Sequence, residues 1–359
     1  MARVYNFSAG PSMLPESILN RAAAEMLDYN GSGQSVMEMS HRSKVYEEII
    51  FGARDLFRKV LNVPENYEIL FFQGGASLQF AGIPMNLLNG SGKADYVLTG
   101  QFATKAYQEA QKYGEIKVVA SSKDKTFSYI PELDKNEFTP DADYFYICLN
   151  NTIYGTVWHD LPETGDVPLV ADVSSCFLSE PMDVSKFGLI YGGAQKNVAP
   201  AGLTVVIVRK DLIGNALPFT PTVMDYKVMA ENDSMYNTPP CYSIYMCKLM
   251  LEWIESIGGL EEVQARNLKK SAILYDFLDS SKMFSNPVVK KDRSMMNVTF
   301  VAPTDELNAK FVKEATVAGF VNLKGHRSVG GMRASIYNAM PIEGVEKLVD
   351  FMKTFESRN

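Results

Sequence analysis

The sequence predicts an α/β protein built on a mostly parallel sheet with helices on both faces. Short apolar runs of strand length alternate along most of the chain with stretches whose apolar residues recur at helical spacing. Such alternation is typical of parallel strands joined by helical crossovers. With 359 residues, 46% of them apolar, the chain is long enough for one large and one small domain.

Charge and cysteine usage exclude several classes of function. The formal net charge is −7, so no general affinity for nucleic acid or membranes is expected. The four cysteines form no CxxC pair, and the three histidines lack the short spacing of a zinc site, so no metal is expected. Reduced thiols, with no apolar leader and no membrane-length apolar run, favour a cytoplasmic protein.

Apolar runs and helical spacing predict the elements of a large domain. Strands are predicted at residues 68–72, 95–99, 116–120 and 144–149, and around Asp172, Ile190 and Val205. Helices are predicted at residues 43–61, 101–113, 243–257 and 260–279. Residues 123–142 should be irregular, and residues 218–241 should form an ordered loop rich in Pro and Met.

The C-terminal part predicts a second, smaller α/β unit. Strands are expected at residues 296–301 and 332–336, and helices at residues 305–318 and 344–355. We therefore expect a large domain of residues 16–262 and a small domain of residues 263–359, the latter joined by residues 1–15.

Several residues with suitable chemistry come just after predicted strands. They are Ser77, Phe102, Thr152, Asp172 and Lys196. Ligands of parallel sheets bind beyond the carboxyl ends of the strands. We therefore expect these residues to share one cofactor site.

Lys196 and Asp172 indicate which cofactor this site binds. Lys196 lies between a glycine pair and an apolar strand, and a partly desolvated lysine amine can form a Schiff base with an aldehyde. A single lysine is more often solvated, but Asp172 ends the strand before it. A carboxylate there suits the ring nitrogen of pyridoxal phosphate (PLP).

Local basic and glycine-rich segments are candidates for binding anions. Residues 74–77 form a glycine turn between a strand and a helix, which fits either a phosphate cradle or an ordinary tight turn. His41 and Arg42 precede a helix and fit an anion site or a solvated basic cap equally well. The turn 325–328 is basic, and the planar fork of Arg333 suits a carboxylate.

These motifs resemble the phosphoserine aminotransferase family, a group of class-V, fold-type-I PLP enzymes. The blocks that match in order and separation are residues 7–11, 40–42, 74–77, 193–197, 237–240, 325–327 and 331–339. The resemblance implies a seven-stranded fold-type-I sheet and a homodimer with active sites at its interface. It implies amino transfer between O-phospho-L-serine and 2-oxoglutarate in serine biosynthesis. Whether the phosphorylated four-carbon oxo acid of pyridoxine biosynthesis is also a substrate stays open.

The resemblance also implies roles for individual residues. Lys196 would hold the PLP aldehyde, Asp172 its ring nitrogen and Thr152 its ring hydroxyl. The expected ligands of the PLP phosphate are Ala76, Ser77, Gln195 and, from the partner chain, Asn237 and Thr238. Arg333 would bind the substrate carboxylate. The expected ligands of the substrate phosphate, some of them from the other subunit, are His41, Arg42, His326 and Arg327.

Two positions depart from the family pattern, and two alternatives remain. Phe102 stands where the family commonly has Trp, so we expect stacking on the cofactor with less area and no N–H donor. Ala9 stands where a serine often contacts substrate. One alternative is a cysteine desulfurase or lyase of the same fold, for which Cys241 is the one candidate nucleophile. The other is a non-catalytic protein that binds phosphates or aldehydes.

Overall fold

The computed structural model describes residues 3–359 and contains a central seven-stranded sheet. The strands of the first 209 residues are β1 (Tyr5–Asn6), β2 (Tyr67–Gln73), β3 (Lys93–Leu98), β4 (Glu115–Ser121), β5 (Tyr144–Cys148), β6 (Leu169–Asp172), β7 (Leu189–Gly193) and β8 (Leu203–Arg209). The order across the sheet is β2-β8-β7-β6-β5-β3-β4. β8 is antiparallel to β2 and β7, and the other pairings are parallel. The predicted mostly parallel sheet is confirmed.

Helices cover both faces of this sheet. They are α1 (Glu16–Ala24), α2 (Lys44–Val60), α3 (Gln79–Leu87), α4 (Gln101–Ala110), α5 (Tyr226–Glu231), α6 (Cys241–Ser256) and α7 (Gly259–Ser280). Successive strand residues point to opposite faces. Phe71 therefore packs in the core that contains α2 and α6, whereas Phe72 packs in the core that contains α3 and α4. Strands covered on both sides are expected to be almost wholly apolar, as β5 is.

Two segments differ from the sequence prediction. α4 ends at Ala110, and the chain continues to Tyr113 as a turn. The segment 218–241, predicted to be a loop, contains the short helix α5. Asp225 caps this helix by accepting a 2.8 Å hydrogen bond from the Lys227 N–H. A six-residue helix with two buried side chains is too short to show helical periodicity.

The C-terminal part forms a second core. Its elements are β9 (Asn297–Phe300), α8 (Asp305–Val317), β10 (Phe320–Val321), β11 (Met332–Ser335) and α9 (Ile342–Arg358). β11 pairs antiparallel with β9, and β10 pairs parallel with β1. Phe7 is fully buried in this second core, so the N-terminal segment packs with the C-terminal residues. The predicted boundary at 262 and 263 falls inside α7, and the two-domain division stays a prediction.

Within residues 3–359, every helix is too short or too polar to cross a bilayer.

Candidate active site

A pocket of about 260 Å³ opens at the carboxyl edge of the large sheet. Its wall includes the residues predicted after five parallel strands: Ser77, Phe102, Thr152, Asp172 and Lys196. The structure also brings other predicted site residues into this wall: Ala76, Gln195, His326 and Arg333. One concave site with several converging polar groups is the usual form of a small-molecule site.

Lys196 presents a buried amine to this pocket. The residue is 9% exposed, and its Nζ donates a 2.7 Å hydrogen bond to Thr152 Oγ1. Nζ also lies 5.5 Å from the centre of the Phe102 ring. Burial lowers the pKa of Lys196, and the nearby carboxylate of Asp172 opposes this. The amine is therefore a better nucleophile at neutral pH than that of a solvated lysine.

The lysine loop is held between two backbone segments. A Cβ on Gly192 would lie 3.2 Å from Ser174 Cα and 2.8 Å from Phe177 Cδ1, so only glycine allows this close approach. On the other side, the Ser12 N–H donates a 2.9 Å hydrogen bond to the Gln195 carbonyl. The Ser12 hydroxyl donates to the carbonyl of Lys196 itself. The N-terminal segment therefore fixes the backbone from which the lysine extends.

Asp172 ends β6 and is 6% exposed. Its Oδ1 accepts a 2.9 Å hydrogen bond from the Ser174 N–H, and the Ser174 hydroxyl accepts a 3.0 Å hydrogen bond from the Gly193 N–H. The strand end and the lysine loop are thus joined. A buried, oriented carboxylate at this point can pair with a protonated ring nitrogen.

Arg333, on β11, supplies a cationic group to the same pocket. Its Nη1 donates a 3.2 Å hydrogen bond to the Thr152 carbonyl. Its Nε is buried and has no partner among residues 3–359. A buried donor without a protein partner is costly, so this N–H is available to an acceptor that enters the pocket. The planar guanidinium matches a carboxylate, so Arg333 is suited to a substrate acid group.

The glycine turn after β2 provides free backbone donors. The chain enters a short 3₁₀ turn, Ala76–Leu78, and then α3. The first N–H groups of such a turn have no acceptor within it, and they carry the positive end of the peptide dipoles. Gly75 and Ser77 lie in the pocket wall. This arrangement is suited to a phosphate group.

Five predicted residues do not line this pocket: His41, Arg42, Asn237, Thr238 and Arg327. Arg42 and Arg327 are exposed. Asn237 lines a separate hollow next to Leu78, and the Thr238 carbonyl accepts a hydrogen bond from the Gln73 side chain. Within one chain these residues lie outside the pocket that contains Lys196.

Other pocket residues were not among the predicted site residues. They are Ala9, Gly10, Gly75, Phe80, Cys148, Asn150, Ile153 and Ser174. Asn150 and Ser174 follow strands, which is a signal the sequence does contain. Ala9 and Gly10 come from the N-terminal turn, and no local pattern shows that this turn reaches the lysine loop. Within residues 3–359, no group of three or more His, Cys, Asp or Glu side chains could hold a metal ion.

A buried lysine beside a strand-end carboxylate, at the carboxyl edge of this sheet, defines a class: the fold-type-I transferases that depend on PLP. The family model described as Aminotransferase class-V matches residues 4–348. The chain belongs to the class-V aminotransferase family.

Relatives and solved structures match over the full length. The chain is 55% identical to a phosphoserine aminotransferase of Bacillus cereus, covering 100% of both chains. The structure of phosphoserine aminotransferase from Bacillus circulans subsp. alkalophilus has 47% identity and a TM-score of 0.96, covering 99% of each chain. The PLP-bound phosphoserine aminotransferase of Trichomonas vaginalis has 41% identity and a TM-score of 0.92, covering 98% of this chain and 100% of that one.

Proposed function

We propose that this protein is a PLP-dependent aminotransferase that moves an amino group between glutamate and 3-phosphooxypyruvate, giving 2-oxoglutarate and O-phospho-L-serine. The observation that carries the proposal is one pocket in which a buried Lys196 amine, the Asp172 carboxylate and an unpaired Arg333 donor converge. Relatives more than half identical over the whole chain are phosphoserine aminotransferases, which supports the choice of substrate.

The residues present fit four groups of PLP, namely the aldehyde, the ring nitrogen, the ring face and the phosphate. The desolvated Lys196 amine suits the aldehyde, Asp172 suits the ring nitrogen, and the face of Phe102 suits the ring. The free N–H groups of the Ala76–Leu78 turn suit the phosphate, with Gln195 beside them. When bound, PLP supplies an aldehyde that combines with amines and a ring that accepts electrons from the substrate Cα.

The protein's own groups handle the proton and orient the reactants. Lys196 Nζ, unprotonated more readily because it is buried, takes the proton from the substrate Cα. The Thr152 hydroxyl holds Nζ in place, and Ser174 holds the Asp172 carboxylate. Arg333 binds the α-carboxylate and so holds the substrate in the pocket that contains Nζ.

Both amino donors have an anionic group at each end. Phosphoserine and glutamate share the α-amino-carboxylate, and each has a second anion at the far end. His326 lies in the pocket wall, and the exposed Arg327 follows it in the same turn. A His and Arg cluster can hold either far end, and it binds the phosphate more strongly because the phosphate has the higher charge.

We infer that the active form is a homodimer in which the partner completes the anion sites. Asn237, Thr238, His41 and Arg42 lie outside the pocket of their own chain, which supports a role for them in the pocket of a second copy. Leu78, Val223 and Tyr236 are exposed apolar side chains near Asn237, as expected for a surface that a second copy covers.

Amino transfer can be measured directly. Purified protein supplied with PLP should show an absorbance band near the short-wavelength end of the visible range. Borohydride should remove this band and leave the reduced cofactor covalently attached to Lys196. Amino transfer from phosphoserine to 2-oxoglutarate should occur and should be lost in Lys196→Ala. Retained full turnover in Lys196→Ala would refute the mechanism.

The desulfurase alternative has its own signature. Such an enzyme would release sulfide from cysteine and would not transfer the amino group of phosphoserine. Cys241, its candidate nucleophile, is half-buried at the start of α6, and burial raises the pKa of its thiol. A neutral thiol is a weak nucleophile, so we expect no sulfide release.

Mixed dimers test the shared site. Lys196→Ala and Arg42→Ala homodimers should each be impaired. If Arg42 acts across the interface, half of the randomly formed dimers contain one intact site, which restores about one quarter of wild-type activity. No recovery after unfolding and refolding the mixture would place Arg42 within its own chain's site.

A further inference from the structure

Asn297, on β9, has a fully buried side chain. Both N–H groups of its side-chain amide donate hydrogen bonds. Its Nδ2 donates to Ser335 Oγ at 3.0 Å and to the Tyr337 hydroxyl at 3.1 Å. Its Oδ1 accepts a 2.8 Å hydrogen bond from Asn150 Nδ2. An amide engaged at both ends has one orientation, so these contacts define a single geometry.

On one side this network reaches the strand ends of the large sheet. Asn150 follows β5 and lines the pocket. Its Nδ2 also donates a 2.7 Å hydrogen bond to Ser175 Oγ, and the Ser175 hydroxyl returns a 2.8 Å bond to the Asn150 carbonyl. Ser175 lies three residues after Asp172. The side-chain oxygen of Asn297, Oδ1, is therefore bonded to the side of the pocket that contains Asp172.

On the other side the network reaches two different parts of the pocket wall. The Tyr337 hydroxyl, which accepts from Asn297, donates a 2.9 Å hydrogen bond to the Ala9 carbonyl. Ser335 is the register partner of Asn297 in the β9–β11 pair and lies two residues after Arg333. Ala9 and Arg333 both line the pocket. Asn297 thus lies where the N-terminal segment, β11 and the large sheet meet.

We propose that Asn297 and Tyr337 are positioning residues that fix Arg333 and Ala9 relative to Lys196 and thereby set the affinity for the substrate carboxylate. This rests on the proposed aminotransferase function. Neither residue is in the pocket wall, so each acts through the groups it holds. The contacts of Lys196 with Thr152 and of Asp172 with Ser174 do not pass through them. The proton-transfer geometry should therefore survive their loss.

Tyr337→Phe is the smallest test, because it removes one oxygen atom from a side chain that is 2% exposed. We expect KM for both the amino donor and the oxo acid to rise about 10-fold, while kcat changes less than about 3-fold. Absorbance of the PLP-loaded protein should be unchanged. Amide hydrogen exchange of the unliganded protein should be faster in residues 8–12 and 332–337. Asn297→Ala should change the same quantities further.

Tyr67→Phe is the matched control. Tyr67 is also 2% exposed, and its hydroxyl donates a 2.6 Å hydrogen bond to the Phe187 carbonyl, where β2 begins and far from the pocket. The Tyr67→Phe substitution should lower the free energy of unfolding about as much as Tyr337→Phe does, and it should leave KM unchanged. Wild-type KM and wild-type exchange in Tyr337→Phe would overturn the proposal, as would a fall in kcat alone. If the wild-type protein transferred no amino group, the proposed function would fail, and the exchange measurement would still decide whether the network positions β11.

Discussion

The Lys196 amine and the Thr152 hydroxyl form a 2.7 Å hydrogen bond in a pocket that also contains the Asp172 carboxylate. The two largest effects on the pKa of the amine oppose each other. Burial lowers the pKa of Lys196, and the negative charge of Asp172 raises it, with burial the larger of the two. The chemistry proposed for the site depends on this balance.

Changing Asp172 to Asn should shift that balance in a known direction. The substitution keeps the shape and removes the charge that raises the pKa of Lys196, so the pKa should fall further. In cofactor-free protein, acylation of Lys196 by a small amine-reactive reagent should then reach half its maximal rate at a lower pH than in wild type. Mass spectrometry of the modified peptide measures this.

The exposed Lys210, paired with Glu68 at 3.4 Å, is an internal control in the same samples. Its acylation profile should be the same in both proteins. A Lys196 midpoint that is equal or higher in Asp172→Asn would show that the carboxylate does not act on the amine.

Arg333 and the exposed arginines should differ in which substrates they affect. Arg333→Ala removes the group proposed to bind the carboxylate common to all substrates, so kcat/KM should fall at least about 100-fold for glutamate and phosphoserine alike. Arg42→Ala and Arg327→Ala should reduce kcat/KM for phosphoserine about 10-fold and leave that for unphosphorylated serine nearly unchanged. Steady-state kinetics with the three amino donors makes the comparison.

Arg209→Ala is a suitable control for these variants. Arg209 pairs with Asp211 at 2.6 Å, at the end of the sheet opposite the pocket. It should leave all three substrates unaffected. Equal losses for serine and phosphoserine in Arg327→Ala would rule out a phosphate-binding role for that residue.

Local sequence was sufficient to predict the strand-end part of the site. Asp172 ends an apolar strand and Lys196 follows another, and in a parallel sheet such positions meet at one edge whatever the details of packing. The residues joined by long-range packing were not predictable in this way. Asn297 and Asn150 are 147 positions apart and become neighbours only once β9 packs against the large sheet.

Side-chain direction in the C-terminal basic segment was also beyond local sequence. Arg333 and Arg327 are six positions apart and look equally basic in the sequence. Arg333 lies on β11, between the buried Met332 and Ala334, and its side chain reaches the Thr152 carbonyl. Arg327 lies on a turn and is exposed. The residues that the anion sites are expected to take from a second copy also cannot be placed against the pocket within one chain.

Phe102 should support PLP binding through its ring face. Its centroid lies 5.5 Å from Lys196 Nζ, so the ring borders the amine. Phe102→Leu keeps an apolar side chain and removes the π-system, which should raise the Kd for PLP about 10-fold. Phe102→Trp should bind PLP at least as tightly as wild type. Absorbance titration of cofactor-free protein gives both values.

Phe138→Leu is the matched substitution away from the pocket. Phe138 packs on Phe145 with ring centroids 4.8 Å apart and belongs to the core of the opposite sheet face. Its affinity for PLP should equal that of wild type. If Phe102→Leu behaved in the same way, the ring would be part of the wall without stacking on the cofactor.

Lys270 is a buried amine outside the pocket that should make stability depend on pH. It lies on α7, is 1% exposed, and donates to the carbonyls of Ile336 at 3.0 Å and Tyr337 at 2.7 Å. No carboxylate among residues 3–359 forms a salt bridge with it. Burial, together with the charge of Arg266, lowers its pKa from 10.5 to about 7.

The lowered pKa of Lys270 sets both the sign and the pH window of the effect. Between about pH 7 and 10.5 the unfolded chain keeps a proton that the folded protein has lost, so the free energy of unfolding rises with pH. Relative to Lys270→Met, wild type should gain up to about 1.4 kcal/mol per pH unit across that window, measured by urea unfolding. Relative to Lys269→Met, a change at the exposed neighbouring position of α7, wild type should show no such gain, because both proteins keep Lys270. A constant difference between wild type and Lys270→Met from pH 7 to 10 would mean that the buried amine stays protonated in the folded protein.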